Sequence, residues 1–185
     1  MTSFSEHTVS RKEVFRGKML TLEQHDIELE DGRKAYREII RHPGSIGVLA
    51  RHPDGRFALV RQYRKAVEME MTEVVAGLLD PGEASEVAAR RELREETGFD
   101  ATAITRLGVL YASPGYVDEK VGIYFAELES ESRPAELDHD ERLHLVMMTR
   151  EEIASAICSG EISDAKTLGA WAMFLEHERA GKIKG

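Results

Sequence analysis

Cysteine is nearly absent from this chain. Of 185 residues only Cys158 is one, which excludes an internal disulfide framework and a cysteine-based zinc site. Long apolar runs are absent too. No stretch approaches the ~20 uninterrupted apolar residues that a membrane helix needs. The start, MTSFSEHTVSRKEVF, lacks the apolar core of a secretory signal, so the expected compartment is the cytoplasm and no membrane partner is expected. Basic charge is in the minority, with 25 Lys and Arg against 34 Asp and Glu and a net charge of −9. A nucleic-acid-binding surface needs a basic stripe to neutralise phosphates, so no nucleic-acid partner is expected. An acidic protein can still bind a small phosphorylated ligand. It then needs clustered arginines, or a divalent cation held by carboxylates. Repeats, low-complexity runs and long linkers are also lacking.

What remains is the composition of a folded domain, 42% hydrophobic and 32% charged, at a length suited to one domain with a small appendage. Residues 1–43 read as an N-terminal β segment. VSRKEVFRGKML and TLEQHDIELEDGRKAYREIIRH contain short alternating runs, with Asp31-Gly32 as a hairpin turn. Phe15 and Tyr36 read as packing residues, with stacking on a base as the other use. Pro43-Gly44 breaks the chain, and residues 44–185 form the main domain. SIGVLARH and RFALVRQY are strands joined at Asp54-Gly55, and EVVAGLLDPGE passes from β-like residues into a Pro-Gly loop. A helix is predicted from about Ala84 to Gly98, ended by a residue that tolerates the left-handed conformation. ITRLGVLYA and KVGIYFAEL are strands around the loop SPGYVDE. TREEIASAICSG and DAKTLGAWAMFLEHERAG are helices. Strands and helices mix without regular alternation, which predicts an α+β fold.

The predicted helix places Glu92, Glu95 and Glu96 on one face, at i, i+3 and i+4. Arg91 can relieve Glu95 one turn on, Arg94 lies close by, and Glu86 with Arg90 makes an ordinary i, i+4 pair. The plain reading is a solvated helix face of mixed charge. The sharper one is a divalent-cation site, since hard cations prefer carboxylate oxygens and keep waters for a phosphate.

Residues 77–99, GLLDPGEASEVAARRELREETGF, decide between them. The segment resembles the Nudix box, Gly-x5-Glu-x7-Arg-Glu-aliphatic-x-Glu-Glu-x-Gly-aliphatic. Gly77, Glu83, Arg91, Glu92, Leu93, Glu95, Glu96 and Gly98 fall in place, and Phe99 stands where the family has an aliphatic residue. The resemblance implies the Nudix fold, a mixed β-sheet sandwiched by helices. It implies Glu92 and Glu96 as ligands of Mg2+ or Mn2+, Glu95 as a ligand or orienting group, and the Ala76 carbonyl as a further ligand. Arg91, with Glu83, would hold the glutamates in place. Gly77 would let the backbone pass close to the metal.

Outside the box the chain resembles the ADP-ribose pyrophosphatase, or nucleoside diphosphate-sugar hydrolase, branch of the family. Pro114 lies fifteen residues after Phe99. Glu73-Val74-Val75-Ala76-Gly77 is similar to the branch's entry to the box, and RQYR carries Arg61 and Arg64, which would neutralise substrate phosphates. ELDHDERLHLV and SGEISDAKTL also look like this branch. Taken alone, SPGYVDE is a tight turn and the arginines are surface cations. The branch implies a homodimer in which Arg37 or Arg41 completes the partner's nucleotide site. None of the seven histidines shows ligand spacing.

The implied reaction is ADP-ribose plus water giving AMP plus ribose 5-phosphate. Its general base would be a carboxylate on a loop after the box, Glu141 first, in an acidic stretch that also includes Glu136, Asp138 and Asp140; Asp140 and, in the SPGYVDE loop, Glu119 are the alternatives. The readings that compete with this are a broader hydrolase of the GDP-mannose or UDP-glucose type, a silent nucleotide-sugar sensor, and a structural acidic dimer.

Overall fold

The computed structural model describes residues 4–137, 139 and 142–183. Among these, ten strands and three helices are formed, in an α+β arrangement. The chain divides into two compact units. One comprises the described residues up to Pro43 with Tyr111–Lys120, and the other Gly44–Leu110 with the described residues from Val121 on.

The smaller unit is an antiparallel sheet of β1 (Glu6–Arg16), β2 (Thr21–Leu29) and β3 (Lys34–Arg41), in that order. Asp31-Gly32 turns β2 into β3 as expected. Gly32 takes φ +78°, its N–H donates to the Leu29 carbonyl, and the Asp31 carboxylate accepts from Arg33 N–H. On β2 alternate residues Glu23, His25 and Ile27 are buried, which is strand periodicity with two polar groups on the inner face. All eleven residues of β1 are exposed. Phe15 and Tyr36 are exposed as well, so neither packs in a core. Both stand in strands with too little apolar partner surface within this unit to cover them. The segment Tyr111–Lys120 joins this sheet, with Val117 bridging Ile40 in parallel.

The larger unit is built on a mixed sheet. Its path runs β10 (Leu143–Met148), β5 (Phe57–Arg64), β4 (Ser45–Arg51), β9 (Lys120–Ser132) and β8 (Phe99–Tyr111). To this β6 (Met69–Glu73) adds by pairing β5, and β7 (Val75–Leu78) by pairing β4. β4 runs parallel to β9 and antiparallel to β5 and β7. β4 is buried from Ser45 to Ala50 because the sheet is covered on both faces. On one face Ile46, Val48, Val60 and Tyr124 pack with Ala88, Ala89 and Leu93 of helix α1 (Ser85–Thr97). On the other, Leu49, Phe57, Ile123 and Phe125 pack with Ile153 of α2 (Arg150–Ser159) and Trp171 and Phe174 of α3 (Ala165–Arg179). Each fully buried Leu, Ile or Phe here contributes about 1.5–3 kcal/mol.

The predicted helix forms one residue inside its expected limits, ended by Gly98 at φ +75°. α2 starts on a capping box, with Thr149 Oγ1 accepting from Glu152 N–H and the Glu152 carboxylate accepting from Thr149 N–H. Strand β6 was not expected from the sequence: EMEMTE alternates over a few residues, but its glutamates are of a type depleted in strands. It is created by a tight turn at Glu68, a non-glycine residue at φ +55°, which folds it back on β5.

Candidate active site

Helix α1 buries a stripe made of Ala88, Ala89, Glu92, Leu93, Glu96 and Thr97. Two glutamates therefore lie within the packed face, Glu92 at 9% exposure and Glu96 at 2%. Burying carboxylates costs free energy unless they are paired. Arg91 pairs Glu92, together with Glu83 and Glu95 around it. Its Nε and Nη2 donate to the two oxygens of Glu83, each at 3.0 Å. Its Nη1 donates to Glu92 at 2.7 Å and to Glu95 at 3.0 Å, and Nη2 also reaches the Leu78 carbonyl at 3.3 Å. One guanidinium thus ties together the end of β7, the loop before the helix and the glutamate face. Bonding to Glu83, then to Glu92 and Glu95, raises the Arg91 pKa further despite burial. It stays charged and moves no proton. The same bond holds the Glu83 carboxyl below its ordinary value. Arg94, which lies close by in the sequence, pairs with Asp100, with Nε 2.7 Å from Oδ1.

Gly77 sits in β7 opposite Ile46, next to Ala76, which faces Gly47. A Cβ on Gly77 would stand 1.9 Å from Cδ and 2.0 Å from Oε1 of Glu92. The missing side chain is the space that the Glu92 carboxylate fills, and it brings that carboxylate against the Gly77 backbone.

Arg64 and Arg61 lie on opposite faces of β5, as their odd spacing requires. Arg64 shares the α1 face. Its Nε and Nη2 each bond an oxygen of the buried Glu73 at 2.7 Å, and this bond raises its pKa, with Glu96 near enough to add to the effect. Arg61 turns to the other face, donating to Thr72 Oγ1 at 3.2 Å and Glu161 at 3.1 Å. There it lines a groove of about 350 Å³ with Met148, Glu152 and Ser155. The structure therefore brings Arg64 to the glutamate face and not Arg61. Lys166 and Asp164, which the sequence reading did not single out, stand beside Glu73. Their one sequence signal is the stretch SGEISDAKTL.

In the smaller unit, Arg41 donates to Glu23 at 2.8 Å and to Asp118 at 3.0 Å. Bonds from His25 and then Arg41 hold Glu23 below its ordinary pKa. Arg37 is paired with Glu6 and also donates to the Tyr36 carbonyl at 2.9 Å. Pro114 lies in a turn in which Tyr116 and Val117 N–H both donate to the Ser113 carbonyl. Glu119 stands 3.9 Å from His42 Nδ1. Glu141, Asp140 and Asp138 lie outside the described residues. Their flank is held to α1, since Glu136 N–H donates to the Glu95 carbonyl at 2.9 Å and Arg133 N–H to that of Gly98 at 2.9 Å.

Residues 41–168 match the NUDIX domain family. The chain is 40% identical to an ADP-ribose pyrophosphatase of Bacillus subtilis (strain 168) over 168 residues, 90% of this chain and 91% of the relative. It is 37% identical to a methanol dehydrogenase activator of Bacillus methanolicus over 182 residues, 98% of each. A crystal structure of an ADP compounds hydrolase matches the fold with a TM-score of 0.83 at 27% identity, covering 98% of both chains. The chain belongs to the Nudix family. It is a Nudix pyrophosphohydrolase, and enzymes of this family need divalent metal ions.

Among the described residues no three carboxylate, histidine or cysteine side chains stand around one point as a finished metal shell, because Glu92 and Glu95 are turned onto Arg91. The donor chemistry nevertheless fits a divalent cation. The Glu92 carboxylate, with Glu95 beside it on Arg91, offers oxygen ligands of the kind hard cations prefer, and the Gly77 cradle keeps Glu92 against the backbone of Gly77.

Proposed function

We propose that the enzyme hydrolyses the diphosphate of a nucleoside diphosphate-sugar, ADP-ribose foremost, giving AMP and ribose 5-phosphate. The observation that carries the reading is the Glu92 carboxylate seated in the space over Gly77 and held there by Arg91. The ADP-ribose pyrophosphatase relative, matched over nine-tenths of the chain, supports this choice of substrate.

Glu92, Glu96, Glu95 and the Ala76 carbonyl would hold Mg2+, or Mn2+ in its place. When bound, the cation neutralises charge on the diphosphate and lowers the pKa of a water. Arg91 keeps the carboxylates oriented and Arg64 neutralises a phosphate. The base is a carboxylate not committed to this cluster. Glu141 is the first choice, on the loop whose flank bonds the end of α1, with Asp140 and Glu119 as alternatives. Arg61, held by Thr72 and Glu161 on the opposite face of β5, is assigned no phosphate at this cluster. Pro114 would bear on the nucleotide-sugar, and Arg37 or Arg41 would complete the partner's nucleotide site, in a cytoplasmic homodimer that the exposed β1 helps to form.

The test is phosphate release, coupled to a phosphatase, over a panel of nucleotide-sugars with and without Mg2+. Magnesium-dependent turnover fastest on ADP-ribose is expected. Faster turnover on GDP-mannose or UDP-glucose would move the substrate, and no turnover on any of them would point to a binding module.

A further inference from the structure

Glu73 is 1% exposed, a buried carboxylate beyond the box. A buried charge is stable only when fully paired, and Glu73 is gripped by two cations. Arg64 holds both its oxygens at 2.7 Å, and Lys166 Nζ stands 3.2 Å from Oε2. Lys166 is fixed in turn, with Nζ 2.7 Å from Asp164 Oδ1.

Asp164 is the N-cap of α3. Its Oδ2 accepts from Thr167 N–H at 2.9 Å and from Thr167 Oγ1–H at 2.8 Å. The Thr167 hydroxyl accepts from Val74 N–H at 2.9 Å, the residue after Glu73. Burial raises the Asp164 carboxyl, but Lys166 beside it and the bonds from Thr167 outweigh that and hold it below its ordinary value. The start of α3 is thereby hydrogen-bonded to the strand segment that leads to Gly77.

A guanidinium is a rigid planar fork. With Nε and one side of Nη2 spent on Glu73, its opposite edge, Nη1 and the rest of Nη2, makes no hydrogen bond among the described residues. That edge has the geometry for two parallel bonds to phosphate oxygens. Its value to an anion depends on charge. Arg64, Lys166, Glu73 and Asp164 sum to zero. Without Lys166 the same cluster carries one net negative charge and repels a diphosphate.

We propose that Lys166 is a positioning residue of the phosphate-binding face. Acting through Glu73, it holds Arg64 with its outer edge turned to substrate and offsets the carboxylates behind it. The inference rests on the proposed nucleotide-sugar hydrolysis and deepens it.

Lys166→Met and Lys166→Arg are compared with the unaltered enzyme for kcat, KM and thermal midpoint on ADP-ribose at saturating Mg2+. Lys166→Met is expected to raise KM about tenfold, the low end of what a hydrogen bond to a charged group contributes, with a smaller change in kcat. Lys166→Arg should restore most of the loss. If Lys166→Met does not fold, Lys166→Gln carries the same comparison. Unchanged KM with a lower midpoint would make Lys166 a structural cap of α3 and overturn the inference, as would a KM increase that arginine does not rescue. Absence of turnover in the unaltered enzyme would instead count against the proposed hydrolysis.

Discussion

Gly77 has no side chain because a glutamate occupies the place where one would be. A Cβ there would lie 1.9 Å from Glu92 Cδ, and the carboxylate, at the end of a flexible side chain, is what would give way. Gly77→Ala is therefore expected to fold with a nearly unchanged thermal midpoint yet lose most of its turnover. A variant as active as the unaltered enzyme would show that the seat of Glu92 does not matter. The base is settled by a parallel comparison. Glu141→Gln should lower kcat by about 10²–10⁴-fold, the usual range for losing a general base, with the Mg2+ dependence little changed. Retained activity there, with loss in Glu119→Gln, would move the base to the SPGYVDE segment.

At the scale of elements, helix α1 is the part of the fold that function constrains from both ends. Gly98 takes φ +75°, and a Cβ on it would stand 1.9 Å from the Arg133 carbonyl oxygen. Gly98→Ala therefore combines backbone strain with a clash against backbone that cannot swing aside. It should cost more than about 1 kcal/mol, read from the urea midpoint, and loosen the segment that bonds Glu95 through Glu136. At the other end, Glu83 joins its loop to α1 through Arg91. Arg91 depresses the Glu83 pKa, so the stabilisation is complete above the ordinary carboxylate pKa, about 4.3, and is lost as pH falls through the lower folded value. Glu83→Gln should unfold earlier than the unaltered enzyme at pH 7, and the two should converge on acidification. A gap that stays constant down to pH 2 would contradict this linkage.

For the whole molecule, the exposed strand is the feature that bears on assembly. Every residue of β1 is exposed, among them Val9, Val14 and Phe15. A three-stranded sheet this polar on its inner face has little to stabilise it alone. Sedimentation at micromolar concentration is expected to give twice the chain mass, and Phe15→Ser with Val9→Ser to shift it towards the monomer. A stable monomer in the unaltered protein would exclude the shared-site arrangement.

Much of this was legible in the chain because it is local. The Asp31-Gly32 and Asp54-Gly55 turns, α1 between Ala84 and Gly98, and the spacing of Glu92, Glu95 and Glu96 follow from φ preferences and the 3.6-residue helical period. The box could be read for the same reason, since its members lie within 23 consecutive residues. What escaped the sequence depends on partners distant along it. β6 exists because Met69–Glu73 finds β5. Phe15 and Tyr36 lie exposed because burial depends on what covers a strand, which hydropathy does not reveal. Arg61 and Arg64 look equivalent in RQYR, yet the two-residue period of a strand sends them to opposite faces. Which of them meets the glutamates was decided only when Glu73, nine residues on, and Lys166, a further 93 residues along, closed around Arg64. The sequence by itself determined the chemistry of α1. Only tertiary structure decided which cations face it, because pairing a buried charge requires groups from several elements at hydrogen-bond distance.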